Sequence, residues 1–216
     1  MIITKGPLPL AAYKAAIVDI PWRFEVYSDK GMKKSATSKY PTMTEAEAIA
    51  FGKELGVEWC FDPDCVALFW CPSWAMANCT VHRVARAWGF TPISMGSWFK
   101  ITSRGKDTFG NGYIFRDNME PYLVCTRGEP GLPKNRSIRN GFRALRREHS
   151  RKPPYLHVAL EKMYPRGPFV EIFGREERKG WDTFGNEIGL FEGKSERALK
   201  VKQPEPAPIL EYIGQP

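Results

Sequence analysis

The chain has 216 residues, of which 43% are hydrophobic and 26% charged, and it carries a net charge of +8. That length suits one domain with a sizeable core, and the composition is that of an ordinary globular protein. Its apolar runs fall far short of the ~20 residues that span a bilayer. The opening "MIITKGPLPLAAYK" has neither the apolar core nor the cleavage signal of a secretory peptide, so a cytoplasmic protein with no membrane partner is expected.

The apolar run at residues 15–19 reads as a buried strand that stops at Asp19. In "KYPTMTEAEAIAFGKEL", Thr44 followed three positions later by Glu47 forms a helix-capping box. "DCVALFWCP" predicts a second strand at about 65–70, stopped by Pro72. "SWAMANCTVHRVARAWGF" then carries Trp74, Val81, Val84 and Trp88 at helical spacing, with Gly89 as the stop. "ISMGSWFKI" and "EPYLVCTRG" predict two further strands. "KPPYLHVALEKMYP" predicts a helix opened by prolines, and "GPFVEIFGRE" a last strand ending at Gly174. Strands alternate with helices, and at least three strands are uniformly apolar. The fold class expected is therefore α/β: a mostly parallel sheet with helices on both faces. Residues 1–193 are expected to form the domain, and the Pro-rich segment 194–216 a loosely ordered tail.

The charge is unevenly distributed. Between Lys134 and Lys152 lie eight basic residues and one acid, Glu148, so the rest of the chain is nearly neutral. A basic stripe confined to one segment points to a polyanion, most often nucleic acid, and Arg136, Arg139, Arg143, Arg146 and Arg147 are the candidate contacts. Cys60, Cys65, Cys71, Cys79 and Cys125 are odd in number and contain no C-x-x-C pair. They read as buried thiols, so no metal site is expected. Trp70, Trp74, Trp88 and Phe90 read as core, His149 as surface, and Trp98 and Lys100 stay undecided.

In open α/β sheets ligands bind beyond the carboxyl ends of strands. Two strand ends stand out: Asp19-Ile20-Pro21-Trp22 and Glu171-Ile172-Phe173-Gly174-Arg175. No dinucleotide or P-loop pattern is present. The exocyclic amine of a nucleobase is a poor nucleophile, because its lone pair is delocalised into the ring. A carboxylate and neighbouring carbonyls that accept its hydrogens orient the nitrogen and stabilise the developing charge. Pro21 adds stiffness without a competing N–H, and Trp22 offers a stacking face.

These motifs resemble the adenine methyltransferases of the MT-A70 family, whose signature is Asp-Pro-Pro-Trp. The likeness runs over roughly residues 15–190 and includes "KYPTMTEAE", "ALFWCPSWAM", "SWFKI", "EPYLVCTRG", "EHSRKPPYLHVALEKMYP", "FVEIFGRE" and "GWDTFGNE". The resemblance implies a Rossmann-like methyltransferase fold with permuted motif order and S-adenosyl-L-methionine as methyl donor. It further implies catalysis by Asp19, the Ile20 and Pro21 backbone, and Trp22. Lys152 would meet the methionine carboxylate, Glu171 the ribose hydroxyls, and Phe173, Gly174 and Arg175 would frame the pocket. Asn186 and Glu187 would lie near the adenosine part, with Tyr40 closing over it. Two departures stand out: Ile20 replaces the first Pro, and Glu187 replaces a more usual Gln. The expected acceptor is the 6-amino group of adenine in nucleic acid, with DNA favoured over RNA because the chain lacks recognisable RNA-binding additions. The alternatives are a non-catalytic nucleic-acid-binding scaffold, or the same chemistry on RNA adenosine or the cytosine 4-amino group. The sequence leaves room for a homo- or heterodimer.

Overall fold

A computed structural model describes residues 13–23, 41–110, 114–148 and 150–191. Seven strands form one sheet: β1 (Tyr13–Val18), β2 (Phe61–Trp70), β3 (Thr91–Ile101), β4 (Met119–Arg127), β5 (Gly141–Leu145), β6 (Phe169–Ile172) and β7 (Trp181–Phe184), in the order β5-β3-β4-β2-β1-β6-β7. Four of the six pairings are parallel, and only β4 runs against its neighbours. The start of β4 therefore shares one edge of the sheet with the carboxyl ends of all the other strands.

The apolar runs are explained by cover on both faces. Ala15 and Ile17 of β1, with Val66, Leu68 and Trp70 of β2, face one core cluster; Ala16, Val18, Ala67 and Phe69 face the other. Helices α1 (Glu45–Leu55) and α4 (Thr80–Ala87) pack on the second cluster through Ala48, Phe51, Val81 and Val84. Helix α5 (Tyr155–Met163) packs on the first through Leu156 and Leu160. This is the expected three-layer α/β architecture.

The capping box of α1 forms as predicted. The Thr44 amide donates to Glu47 Oε2 at 2.7 Å, and the Glu47 amide to Thr44 Oγ1 at 3.3 Å. The predicted helix after Pro72 divides into α3 (Ser73–Ala77) and α4, because Cys79 between them adopts a left-handed conformation with φ 61°. As a result Trp74 is 38% exposed rather than core, whereas Trp70, Trp88 and Phe90 are buried as expected. Strand β2 starts earlier than predicted, at Phe61. The short helix α2 (Val57–Cys60), β5 and β7 carry no strong periodic pattern and were not predicted. Cys60, Cys65, Cys71 and Cys125 are buried and Cys79 is exposed. Tyr40, His149 and the segment 194–216 lie outside the described residues. Among the described residues no helix is long and apolar enough to cross a membrane.

Candidate active site

Asp19 follows β1 directly, and its amide donates to the Ile172 carbonyl at 3.0 Å, tying the ends of β1 and β6 together. The next three residues make a pinned turn. The Trp22 amide donates to the Ile20 carbonyl (2.9 Å), the Met43 amide to the Pro21 carbonyl (2.7 Å) and the Arg23 amide to the Met43 carbonyl (2.8 Å). Pairing with the segment that leads into α1 thus supplies stiffness that Ile20, unlike a proline, cannot. Ile20 is itself buried. Each of the two carbonyls has used one lone pair and retains a second. Trp22 is only 4% exposed. Its indole N–H points to the Trp70 carbonyl at 3.4 Å, and its ring meets Trp74 edge-on at 6.1 Å. Of these two rings, Trp74 is the one presenting surface.

The Asp19 carboxylate is held by Lys152, whose Nζ lies 3.0 Å from Oδ1 and 2.9 Å from Oδ2. The same ammonium lies 2.9 Å from Glu120 Oε1, and Glu120 Oε2 lies 2.8 Å from Lys100 Nζ. Asp19, Lys152, Glu120 and Lys100 thus form an alternating, formally neutral chain of charges across the ends of β1, β4 and β3. Lys152 also sits 5.7 Å from the centre of the Trp70 ring. Burial pushes the Asp19 carboxyl above its ordinary value, with Lys152 pulling the other way and Glu120 adding to the rise. For Glu120, burial is outweighed by the two lysines, so it titrates low. For Lys152, burial is outweighed by the two carboxylates, so it holds its proton more tightly than a free lysine.

Asp19 and Lys152 open onto a cavity of about 220 Å³ that is also lined by His157, Glu171, Phe173 and Arg175. Glu171 is buried near the end of β6 and receives His157 Nε2 on Oε2 at 2.9 Å. Phe173 has φ 66°, a strained conformation for a residue with a side chain, and such strain concentrates at ligand sites. A Cβ on Gly174 would lie 2.5 Å from Thr183 Cγ2 and 3.0 Å from Glu171 Cγ, so only glycine fits against that carboxylate. Arg175 pairs with Glu187 at 3.0 Å.

The structure therefore brings Asp19, Lys152, Glu171, Phe173 and Arg175 around one cavity, with Gly174 and Glu187 beside it. Asn186 is exposed after β7. The basic stripe separates into two groups. Arg136, Arg139, Arg143 and Arg146 are exposed, and Arg143 pairs with Asp107 at 2.6 Å. Arg147 instead lines the cavity, donating to the Lys152 carbonyl (2.8 Å) and pairing with Glu176 at 3.3 Å. Arg151, 6% exposed, donates from Nε to Glu176 at 2.6 Å. Sequence reasoning does not single out Glu120 or His157, and it leaves Lys100 open. Glu120 is hidden in "EPYLV", and His157 sits within a helical pattern. Trp98 belongs to the core, donating Nε1–H to the Ala144 carbonyl at 2.9 Å.

The MT-A70 family profile matches residues 13–187, and the chain belongs to this family of N(6)-adenine methyltransferases. It is 28% identical over 198 residues to the type II methyltransferase M.MunI of Mycoplasma sp, covering 84% of this chain and 80% of that one. It is 23% identical over 207 residues to the N(6)-adenine-specific methyltransferase METTL4 of Homo sapiens, covering 85% and 40%. It is 29% identical over 119 residues to the N6-methyladenosine RNA methyltransferase MTA1 of Cryphonectria parasitica, covering 55% and 32%. The chain thus spans four-fifths of the first relative and less than half of the other two.

Proposed function

We propose that this protein transfers a methyl group from S-adenosyl-L-methionine to the 6-amino group of adenine in DNA. The observation that carries the reading is the Asp19 carboxylate, half-buried beyond the end of β1 at the mouth of a cavity lined by Lys152, Glu171 and Arg175. The cavity's chemistry suits the donor. Lys152 offers an ammonium to a carboxylate, Glu171 offers acceptor oxygen to hydroxyls, and Gly174 leaves the space that the Glu171 carboxyl occupies. When bound, the donor supplies a methyl group on a sulfonium, and the C–S bond breaks with its electron pair going to sulfur.

The chain's own residues do the rest. Asp19 accepts a hydrogen from the amine, and the second lone pairs of the Ile20 and Pro21 carbonyls are acceptors for the other. This aims the nitrogen lone pair at the methyl group, and proximity of that kind accounts for several kcal/mol of a barrier. The nitrogen loses one proton after transfer, and Asp19 is the adjacent base. Lys152 would be shared between Asp19, Glu120 and the donor's carboxylate, with Glu120, itself held by Lys100, keeping the ammonium in place. Trp74 presents the exposed ring for stacking. Support for DNA over RNA is that the type II methyltransferase, whose name carries no RNA label, matches over most of both chains, whereas the RNA-named relative aligns with about half of this one.

The test is mass spectrometry of nucleosides from DNA and RNA incubated with the protein and methyl-labelled donor. Label in N(6)-methyldeoxyadenosine is expected. Label only in N(6)-methyladenosine moves the substrate to RNA, label in N(4)-methylcytosine changes the acceptor, and no label with retained nucleic-acid binding leaves a scaffold.

A further inference from the structure

His157 has no part in the chemistry above, yet its contact with Glu171 is one of the most enclosed polar contacts among the described residues. His157 and Glu171 side chains are 10% and 11% exposed, and Nε2 and Oε2 are 2.9 Å apart. An ionised carboxylate only accepts, so His157 Nε2 carries the hydrogen. The other ring nitrogen, Nδ1, is buried without a partner among the described residues. A ring serving purely as packing would not need a nitrogen there, and His157 is held at a fixed angle by Trp181, whose ring meets it edge-on at 4.6 Å. Trp181 is anchored in turn by its indole N–H to Glu161 Oε1 at 2.8 Å, one helical turn beyond His157 on α5. On the opposite side, the missing side chain of Gly174 makes room for the Glu171 carboxyl.

We propose that His157 is a positioning residue of the donor pocket. By occupying Oε2 of Glu171 it fixes the carboxylate so that Oε1 is presented to the vicinal hydroxyls of a ribose. The inference rests on the donor reading above. A glutamate free to rotate would surrender side-chain entropy on binding; one already held at one oxygen surrenders little.

The experiment is calorimetric titration of the full chain with S-adenosyl-L-homocysteine and with its 2′,3′-dideoxy counterpart. His157→Phe keeps a ring against Trp181 and removes the donor, and it is expected to weaken S-adenosyl-L-homocysteine binding on the order of tenfold. His157→Gln can still donate to Glu171 and should stay within about threefold of the wild type. The dideoxy compound should bind the wild type and His157→Phe alike, since the hydroxyls that Glu171 would meet are gone. In turnover, the donor KM should rise in His157→Phe while kcat at saturation holds. Should His157→Phe fail to fold, His157→Asn, too short to reach Glu171, must show the same loss. Equal binding of S-adenosyl-L-homocysteine by wild type and variant overturns the proposal, as does an equal loss for both compounds. Failure of the folded wild type to bind S-adenosyl-L-homocysteine would instead overturn the donor reading.

Discussion

Replacing Lys152 with methionine removes the ammonium and keeps most of the stem. Three contacts vanish, to Asp19 Oδ1, Asp19 Oδ2 and Glu120 Oε1, at 3.0, 2.9 and 2.9 Å. Glu120 keeps Lys100 at 2.8 Å, so Asp19 is the group left stranded. Breaking a buried pair from one side costs about 3–5 kcal/mol. The Asp19 and Glu120 side chains keep 18% and 21% exposure, which argues for the lower part of that range. Protonation sets a ceiling. A carboxyl with an ordinary value of 3.8 can be neutralised at pH 7 for about 4.4 kcal/mol, but at pH 5 for only about 1.6 kcal/mol. In the variant the folded-state pKa of Asp19 lies above its unfolded value, so the penalty is full at high pH and fades as pH falls. At 2–4 °C per kcal/mol, Lys152→Met should lower Tm by about 6–16 °C at pH 7 and by a little under half of that at pH 5. Adding Asp19→Asn should recover at least half of the loss, because the pair is strongly coupled. Circular dichroism melts of the three proteins at both pH values decide it. A Tm within about 2 °C of wild type at pH 7, or a loss equal at both pH values, would refute the stranded-charge account.

Asp19→Asn alone should abolish methyl transfer while S-adenosyl-L-homocysteine affinity, read by calorimetry, stays within a few-fold; loss of binding would move Asp19 from the acceptor to the donor side. Burial lifts the Asp19 carboxyl above 3.8 and Glu120 adds to that lift, so the acid limb of kcat should lie above the ordinary carboxylate range. Glu120→Gln should shift that limb to lower pH, and a limb unmoved or raised would sever Glu120 from Asp19. Among the exposed arginines of the stripe, Arg136, Arg139 and Arg146 make no ion pair with a described residue. Changing all three to Gln should flatten the log–log salt dependence of DNA binding by about 2.7 units on a duplex, or about 2 on a single strand. Anisotropy titrations with an unchanged slope would place the groove elsewhere.

The sheet was legible because its central strands bury both faces, and burial on both faces leaves an unbroken apolar run in the sequence. Helix α1 was legible because Thr44 and Glu47 encode its start through specific hydrogen bonds. What was illegible had weaker chemistry. Strand β5 is only Gly-Phe-Arg-Ala-Leu, with one buried residue, and its arginine hid it inside a charge run. The break between α3 and α4 rests on Cys79 adopting a left-handed conformation, and cysteine gives no signal for that. Trp74 followed from this break: turned out of the continuous helix, it lost its place in the core.

The site divides along the same line. Asp19 and Gly174 announce themselves because a carboxylate and a bare backbone are anomalies at the end of an apolar strand. Glu120 and Lys100 do not, because each is ordinary alone, and their meaning comes from β4 running antiparallel, which returns its first residues to the edge where the other strands end. The stripe misled in the opposite direction. Its count of positive charges suggested one surface, but Arg147, Arg151 and Lys152 turn inward to Glu176, Asp19 and Glu120, and half-buried cations must have partners. Sequence counts those charges as external field. The fold cancels them inside the pocket, leaving Arg136, Arg139 and Arg146 as the exposed cations that the salt-dependence experiment tests.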